Sequence, residues 1–592
     1  MRIERSASIR PFHVIRVAPV SEEPARGTCS RPDAREAAPM HLSIAARPRA
    51  QPRPPRQSIA KRARAADSSL VRHASLIPVT SAAEASAADA AAIAGGTPSR
   101  ALMQRAGAAA AAEIATRFAD RLEQGVVIAT GKGNNGGDGW VIARALHAVG
   151  IRVRVVECVE AQSPDARAER SVALEDGVPF TTGAASLLTG GERIAVDALL
   201  GTGFVFDTPP TQEIMEPIVR LRHLHERGCA IVAVDVPTYL DASSGYHMGA
   251  TPCELTITFG SMKRGHLVAR DVCGAIVVVD IGLGRHARDA AVAALATPDW
   301  FRATLPPIAA GAHKGTRKKV AIIGGAEGMA GAVILAARAA QRSGAGMVKC
   351  LVAPGSLLAL QKAEPAAQSA VWPVGDEELA SHMEWADVML IGPGMGKEGA
   401  RSMVERVLRA FDGPVVLDAD ALNAFAGDLD ALRALVGTRQ ALLTPHPAEF
   451  ARLTGEDIDD VLCRRFDVHA DAARRSGATV LLKGVPTVVT SPDGDTIIVA
   501  EGTPLLATGG SGDLLGGIAA TLLAQTRDAV SAGALSAFAH GRAAAMVSAR
   551  QVRGYTLDDV LAALPHVWAL VPDARRPPVL CELPAVGEVD RA

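Results

Sequence analysis

Two glycine-rich segments hold the residues whose types and spacing could do chemistry. In the first, the apolar run Val126-Val127-Ile128-Ala129-Thr130 leads into Gly131-Lys132-Gly133-Asn134-Asn135-Gly136-Gly137-Asp138-Gly139, and a helical stretch from Trp140 to Val149 follows. Glycines let the backbone approach an anion, and the start of a helix supplies unpaired N–H groups with a partial positive charge. The amides of Asn134 and Asn135 and the carboxylate of Asp138 can coordinate a cation or hold sugar hydroxyls beside a phosphate. In the second segment, Thr508-Gly509-Gly510-Ser511-Gly512-Asp513 opens the helical run Leu514 to Ala520. Here the anion cradle suits a phosphoryl group in transit, and Asp513 in the first helical turn can take a proton from a substrate hydroxyl.

Other strand ends add groups to each segment. Asp197 in Val196-Asp197-Ala198-Leu199-Leu200-Gly201-Thr202-Gly203 and Asp235 in Val234-Asp235-Val236-Pro237-Thr238 both close apolar runs. The burial cost there calls for a partner such as a shared cation or a substrate proton. Either aspartate alone could equally cap a helix. Lys263 follows the run Leu255 to Phe259, where an amine beside carboxylates can assist proton transfer. Lys483 in Lys483-Gly484-Val485-Pro486-Thr487 can neutralise a nucleotide phosphate, and His446 sits between two prolines on a loop that can face substrate.

These groups need strands to carry them. Short apolar runs alternate with helical stretches at Val126 to Ala129, Val153 to Val156, Ile194 to Leu199, Ile231 to Val236 and Leu255 to Phe259. The alternation resumes at Val320 to Ile323, Met347 to Val352, Val388 to Ile391, Val415 to Leu417, Ala441 to Leu443 and Val480 to Leu482. Strands buried on both faces and separated by helices predict α/β architecture with mostly parallel sheets. The parse is an Arg/Pro-rich disordered arm over 1–75, a first domain over 76–290, a linker over 291–310, a second domain over 311–575 and a tail over 576–592.

The 592 residues are 48% hydrophobic and 21% charged, with a formal net charge of −1, which excludes wholesale disorder and a global field for nucleic acid or anionic membrane. The eight cysteines show no zinc-type spacing, which fits a reducing cytosol. No run is long enough to span a membrane. Small-molecule substrates, a cytoplasmic location and a homo-oligomer are expected, with neither nucleic acid nor membrane as a partner.

From about Ile77 to Arg288, the pieces Leu102-Met103-Gln104-Arg105-Ala106-Gly107, GNNGGDG, DALLGTG and TF-x-x-x-K-x-G resemble the NAD(P)H-hydrate epimerase family. The resemblance implies a Rossmann-like three-layer sandwich that binds K+ and interconverts the R and S forms of hydrated NADH and NADPH. It implies potassium ligands at Asn135, Asp197 and Thr238. It implies substrate contacts at Asn134, Asn135, Gly136, Gly137, Asp138, Gly201, Thr202, Gly203 and Asp235. The family usually reads D-x-P-S-G where this chain has Asp235-Val236-Pro237-Thr238-Tyr239, so a tyrosine stands in a glycine's place.

The span from His313 through GPGMG, DADALN, TPHPAEF and GGSGD resembles the NAD(P)H-hydrate dehydratase family. That implies a ribokinase-like fold using ADP with Mg2+ to dehydrate the S hydrate. Implied hydrate contacts are Ala332, Gly396, His446 and Asp513; implied nucleotide contacts are Lys483, Gly484, Val485, Pro486, Thr487 and Gly512. Taken together, the chain reads as a bifunctional repair enzyme for the hydrates NADHX and NADPHX, with Asp513, Asp197 and Lys263 as catalytic candidates. The alternatives are a ribokinase-like kinase of a vitamin precursor with a non-catalytic first domain, and a nucleotide-binding module without catalysis.

Overall fold

Apolar runs without alternation become strands covered on both faces. In the computed structural model, which describes residues 75–207, 211–549, 553–572 and 576–586, the strands Val126–Thr130, Ile194–Ala198, Ala230–Val234 and Leu255–Phe259 are buried along their whole length. The arm expected over 1–75 lies, but for its last residue, outside the described residues. Among the described residues no helix is long and apolar enough to cross a membrane, and the cysteines are all free.

The first sheet has eight strands in the order Val579–Leu583, Ala275–Val279, Leu255–Phe259, Ala230–Val234, Ile194–Ala198, Val126–Thr130, Val153–Glu157 and Phe180–Thr182. All neighbours are parallel except Val579–Leu583, which runs antiparallel to Ala275–Val279. Strand order reverses between Val126–Thr130 and Ile194–Ala198, so the loops leaving these two strands open a crevice at the carboxyl edge. The GNNGGDG and LLGTG segments occupy that crevice.

The second sheet has twelve strands. Its parallel part runs Gln368–Val371, Met347–Val352, Lys319–Ile323, Val388–Ile391, Val415–Leu417, Ala441–Leu443, Thr479–Leu482. The reversal falls between Lys319–Ile323 and Val388–Ile391. Beyond Thr479–Leu482 come the antiparallel Thr487–Thr490 and Thr496–Val499. The sheet then continues into Ala293–Leu295, Ile77–Thr80 and Met262–Lys263. A backbone ladder therefore leads from the strand of Thr487 to that of Lys263.

Three sequence expectations change here. The expected linker 291–310 contains the sheet strand Ala293–Leu295, and the expected tail 576–592 contains Val579–Leu583. Both strands cover edges that would otherwise stay unpaired, which three apolar residues or a segment behind two prolines do not announce. The described residues accordingly pack as one unit, with a core shared by Ile77, Met262, Ile276 and Leu583 of the first lobe and Val488 and Ile498 of the second. The third change is the helix expected from Trp140: it spans Asn134–Ala148, so the Asn-Asn-Gly-Gly-Asp run is its first turn and a half rather than a loop.

Tyr239 does take the backbone of the glycine it replaces, with φ +69° in a turn closed by the Leu240 amide on the Pro237 carbonyl at 3.0 Å. Its buried ring rests against Phe204, centroids 5.1 Å apart, and its hydroxyl donates to the Thr211 carbonyl at 3.3 Å. Relief of φ strain in Tyr239→Gly would return about 1–2 kcal/mol, while deleting a buried ring costs about 3–5 kcal/mol. The variant should therefore be less stable, read as a lower thermal unfolding midpoint. A higher midpoint would show that the ring packs too poorly to offset its backbone.

Candidate active sites

The first crevice is a cavity of about 610 Å3 lined by Asn134, Asn135, Asp138, Gly201, Thr202, Gly203, Asp235, Tyr239 and Lys263. Gly136 and Gly137 do not line it. A Cβ on Gly136 would fall 2.0 Å from the Gly131 carbonyl, and one on Gly137 would fall 2.6 Å from the Met103 side chain, so these glycines let the helix close on its surroundings.

Lys263 and Asp235 are the charged centre. The ammonium donates to Asp235 Oδ1 at 2.6 Å, to Thr258 Oγ1 at 2.7 Å and to the Phe259 carbonyl at 3.1 Å, and Thr258 Oγ1 donates to the same carboxylate oxygen at 2.9 Å. Asp235 takes φ +67°. His266, three residues after Lys263, fixes that geometry. Its Nδ1 accepts the Lys263 amide at 3.2 Å, so the proton sits on Nε2, which donates to the Asp235 carbonyl at 2.8 Å. Burial drives the His266 ring down to about 3, which keeps it neutral. Burial would raise the Asp235 carboxyl, but the Lys263 charge and hydrogen bond outweigh it and hold it below its ordinary value. Asp138 is the opposite case: burial, then the charges of Asp235 and Asp89, push its carboxyl well above the usual range.

Asp89, on helix Ala82–Ala94, lines the same cavity and was not anticipated. Burial raises its carboxyl against the pull of Lys263, and Asp235 adds to the rise. A carboxylate in the middle of an alanine-rich helix, past the capping Glu84, was the available signal. His266 and Thr258 were missed because their roles depend on where Lys263 points.

Lys263→Met should destabilise the protein by about 3–5 kcal/mol, since it leaves Asp235 buried without its cation. Chemical denaturation reads this directly, and a change under 1 kcal/mol would mean that Asp235 simply takes up a proton.

Of the three residues for which the family resemblance implies potassium, Asn135 lines the cavity, and Asp197 and Thr238 are buried outside its lining. Asp197 Oδ2 accepts the Thr238 amide at 2.9 Å, and Oδ1 accepts the Thr238 hydroxyl at 2.6 Å and the Leu199 amide at 3.3 Å. No cationic side chain among the described residues pairs with it, and burial raises its carboxyl against these hydrogen bonds. Asn135 Nδ2 donates to the Val234 carbonyl at 2.8 Å, whereas its Oδ1 is buried without a hydrogen-bond partner. One uncompensated carboxylate, one orphaned amide oxygen and a hydroxyl are a donor set that fits a large monovalent cation.

In the second lobe a cavity of about 1110 Å3 is lined by His446, Lys483, Gly484, Val485, Thr487, Gly512 and Asp513. Ala332, Gly396 and Pro486 do not line it. Gly396 instead lies near the sheet's reversal, its amide donating to Asp420 Oδ2 at 2.9 Å, while the Ala332 Cβ lies where a side chain on Gly394 would meet it at 3.0 Å. Helix Ser511–Thr526 begins at Gly510, which has φ +92°, and its first turn lines this cavity; the Ser511 and Asp513 amides donate to the Thr508 and Gly510 carbonyls at 3.2 and 3.1 Å, which leaves the Gly512 amide for a ligand. A Cβ on Gly512 would stand 3.2 Å from Lys483 Nζ, so glycine is what admits the lysine here.

Lys483, read from the sequence as a group able to neutralise a nucleotide phosphate, has protein partners as well. It is already paired, with Asp418 Oδ1 at 2.9 Å and Glu449 Oε2 at 3.7 Å; burial lowers its ammonium, but the two carboxylates outweigh that and raise it. His446 caps helix Pro447–Thr454: its Nδ1 accepts the Ala448 and Glu449 amides at 3.2 and 3.4 Å, and its own amide donates to Glu449 Oε2 at 2.8 Å. Nε2, the ring nitrogen turned away from these amides, lies 3.4 Å from Glu449 Oε1. Asp513 is pushed up to about 7, first by burial and then by the negative charge of Asp418. Among the described residues no three His, Cys, Asp or Glu side chains are grouped to hold a metal. Asp418, Glu449 and Asp513 line the cavity, and Mg2+ carried in on nucleotide phosphates needs one or two such carboxylates.

Two α/β lobes, each with a helix start beside a cavity lined by carboxylates, give the class of an α/β enzyme with two candidate active sites. A family model described as NAD(P)H-hydrate dehydratase matches residues 320–566, and one described as YjeF-related protein N-terminus matches residues 99–265. The chain is 37% identical to the bifunctional NAD(P)H-hydrate repair enzyme Nnr of Salinibacter ruber, covering 80% of this chain and 93% of that one. It is 34% identical to the enzyme of the same name from Escherichia coli, covering 79% and 89%. A solved ADP/ATP-dependent NAD(P)H-hydrate dehydratase from Bacillus subtilis, co-crystallised with ATP and Mg2+, is 30% identical over 46% of this chain and 96% of its own, with a TM-score of 0.42. The chain belongs to the family of bifunctional NAD(P)H-hydrate repair enzymes. Relatives that span both lobes favour this reading over a vitamin-precursor kinase or a non-catalytic binding module.

Proposed function

We propose that the first lobe interconverts the R and S epimers of NADHX and NADPHX and that the second dehydrates the S epimer at the expense of ADP. The observation that carries this is Asp513: a carboxyl poised near 7 at the mouth of an amide cradle, in a cavity large enough for a nucleotide. In this reading Asp513 takes the proton of the hydrate's C6 hydroxyl as that oxygen attacks the β-phosphorus of ADP and AMP leaves. Loss of the new phosphate ester as inorganic phosphate, with the neighbouring C5 proton, regenerates NAD(P)H. Water added to the ring thus leaves as part of phosphate. The Gly512 amide and the positive end of helix Ser511–Thr526 stabilise the transferring group, and Mg2+, when bound with ADP, would neutralise phosphate charge.

In the first lobe, epimerisation needs one group to give a proton and one to take it. Asp138, whose carboxyl burial raises, is suited to give, and Asp235, whose carboxyl Lys263 lowers, is suited to take. Asn135, Asp197 and Thr238 would hold K+, which would supply a fixed positive charge to the site.

The free cysteines support a cytosolic enzyme, and the exposed Met215 and Val219 on one face of helix Gln212–Glu226 support a homo-oligomer. Neither nucleic acid nor membrane is a partner in this reading. The test is the purified protein with R-hydrate and ADP, followed by recovery of nicotinamide absorbance and release of AMP. Recovery from S-hydrate alone would remove the epimerase assignment, and absorbance recovered without ADP consumption would remove the dehydratase assignment.

A further inference from the structure

The second lobe does not close its own cavity. Arg270, which heads the short helix Arg270–Cys273 of the first lobe, lines it, and so do Leu583, Pro584, Ala585 and Val586 at the end of a strand of the first lobe's sheet. These residues stand opposite the Lys483 to Thr487 loop and the GGSGD cradle, in the space assigned above to nucleotide and hydrate.

Arg270 is an unusual wall residue. Its Nη2 donates to the Pro584 carbonyl, its Nε is buried without a hydrogen-bond partner, and no carboxylate forms an ion pair with it among the described residues. Burial draws its guanidinium below the ordinary arginine value, opposed at longer range by Cys273 and Glu501. Arginine does not surrender its proton in a protein, so this is a largely desolvated cation with no carboxylate in contact, Glu501 acting on it only at longer range. The groups that match a planar guanidinium best are carboxylates and phosphates, and only the second are brought by the ligands of this cavity.

We propose that Arg270 is a phosphate-binding residue of the dehydratase cavity, supplied by the epimerase lobe. The proposal rests on the reading that the cavity takes ADP and the hydrated dinucleotide. Both carry a diphosphate, so the shared chemistry is phosphate and the experiment separates the two sources.

The test uses the full chain with Arg270→Gln, which keeps an N–H donor for the Pro584 carbonyl but not the charge, and Arg270→Lys, which keeps the charge. The Gln variant should raise the KM for ADP, or for hydrate, by about tenfold or more with kcat within about twofold, as expected for loss of a charged hydrogen bond made equally in ground and transition states. Arg270→Lys should recover most of the loss, and epimerisation should match wild type in both. A rise confined to ADP places the contact on the nucleotide; a rise confined to hydrate places it on the dinucleotide. Both KM values within about twofold of wild type in the Gln variant would overturn the proposal. Should Arg270→Gln lose epimerisation as well, Arg270→Lys decides: with epimerisation intact, KM values near wild type that climb with added salt support it, and a tenfold rise overturns it. Failure of the underlying reading looks different, since wild type would then show no ADP-dependent dehydration.

Discussion

Asp513→Asn lowers the rate of S-hydrate dehydration by about 100-fold or more while nucleotide affinity stays close to wild type, because the amide fills the same space but cannot accept a proton. The pH dependence gives a second reading. With the carboxyl raised to about 7 and the ionised form acting as base, the wild-type rate climbs as pH rises through about 7 and falls away below it. In the variant that limb disappears. Single-turnover dehydration with saturating ADP at a series of pH values measures both effects. A variant retaining a tenth of the wild-type rate, or an unchanged acid limb, would place the base elsewhere.

Asp197→Ala removes epimerisation, by about 100-fold or more if a preorganised electrostatic group is lost, and leaves dehydration of S-hydrate within about twofold. Its carboxylate is the full negative charge among the three oxygens suited to potassium. It also receives the Thr238 hydroxyl and amide and the Leu199 amide, so alanine strands three donors as well. Asp197→Asn separates the two effects by keeping the shape. In wild type, epimerisation should depend on K+ over Na+, and in the asparagine variant that preference should vanish. Equal loss of both activities would mean misfolding, and unaltered epimerisation would reduce Asp197 to a cap.

What could be read in the chain alone follows from what is local. Strands such as Val126–Thr130 and Ile194–Ala198 are apolar throughout, and a glycine loop behind each is a consequence of the crevice they flank. Asp197 was found because it stands at such an end, and Asp513 because it follows a glycine run that opens a helix. Partner identity was not legible, since the pairing of Lys483 with Asp418 spans 65 positions and that of Lys263 with Asp235 spans 28. Asp89 comes from a helix whose sequence is otherwise bland. The strands Ala293–Leu295 and Val579–Leu583 escaped for a related reason: β-pairing depends on what lies alongside more than on intrinsic preference, and the sheets they join are made by distant segments. The helix starting at Asn134 was hidden by its own glycines, which disfavour helix in isolation and serve packing here.

The return of Val579–Leu583 to the first sheet makes the dehydratase lobe an insertion between two neighbouring strands of its companion. A gene cut near residue 300 would therefore not yield two modules. Its upstream product would bare the long apolar edge Ala275–Val279, and its downstream product would carry an orphan strand together with a sheet ending at Thr496–Val499. Naked edges of this kind recruit other chains, so such halves should co-precipitate unless expressed together. Circular permutation that joins the ends near residues 77 and 583 and opens an exposed loop elsewhere keeps every ladder intact, and it is the rearrangement this architecture tolerates.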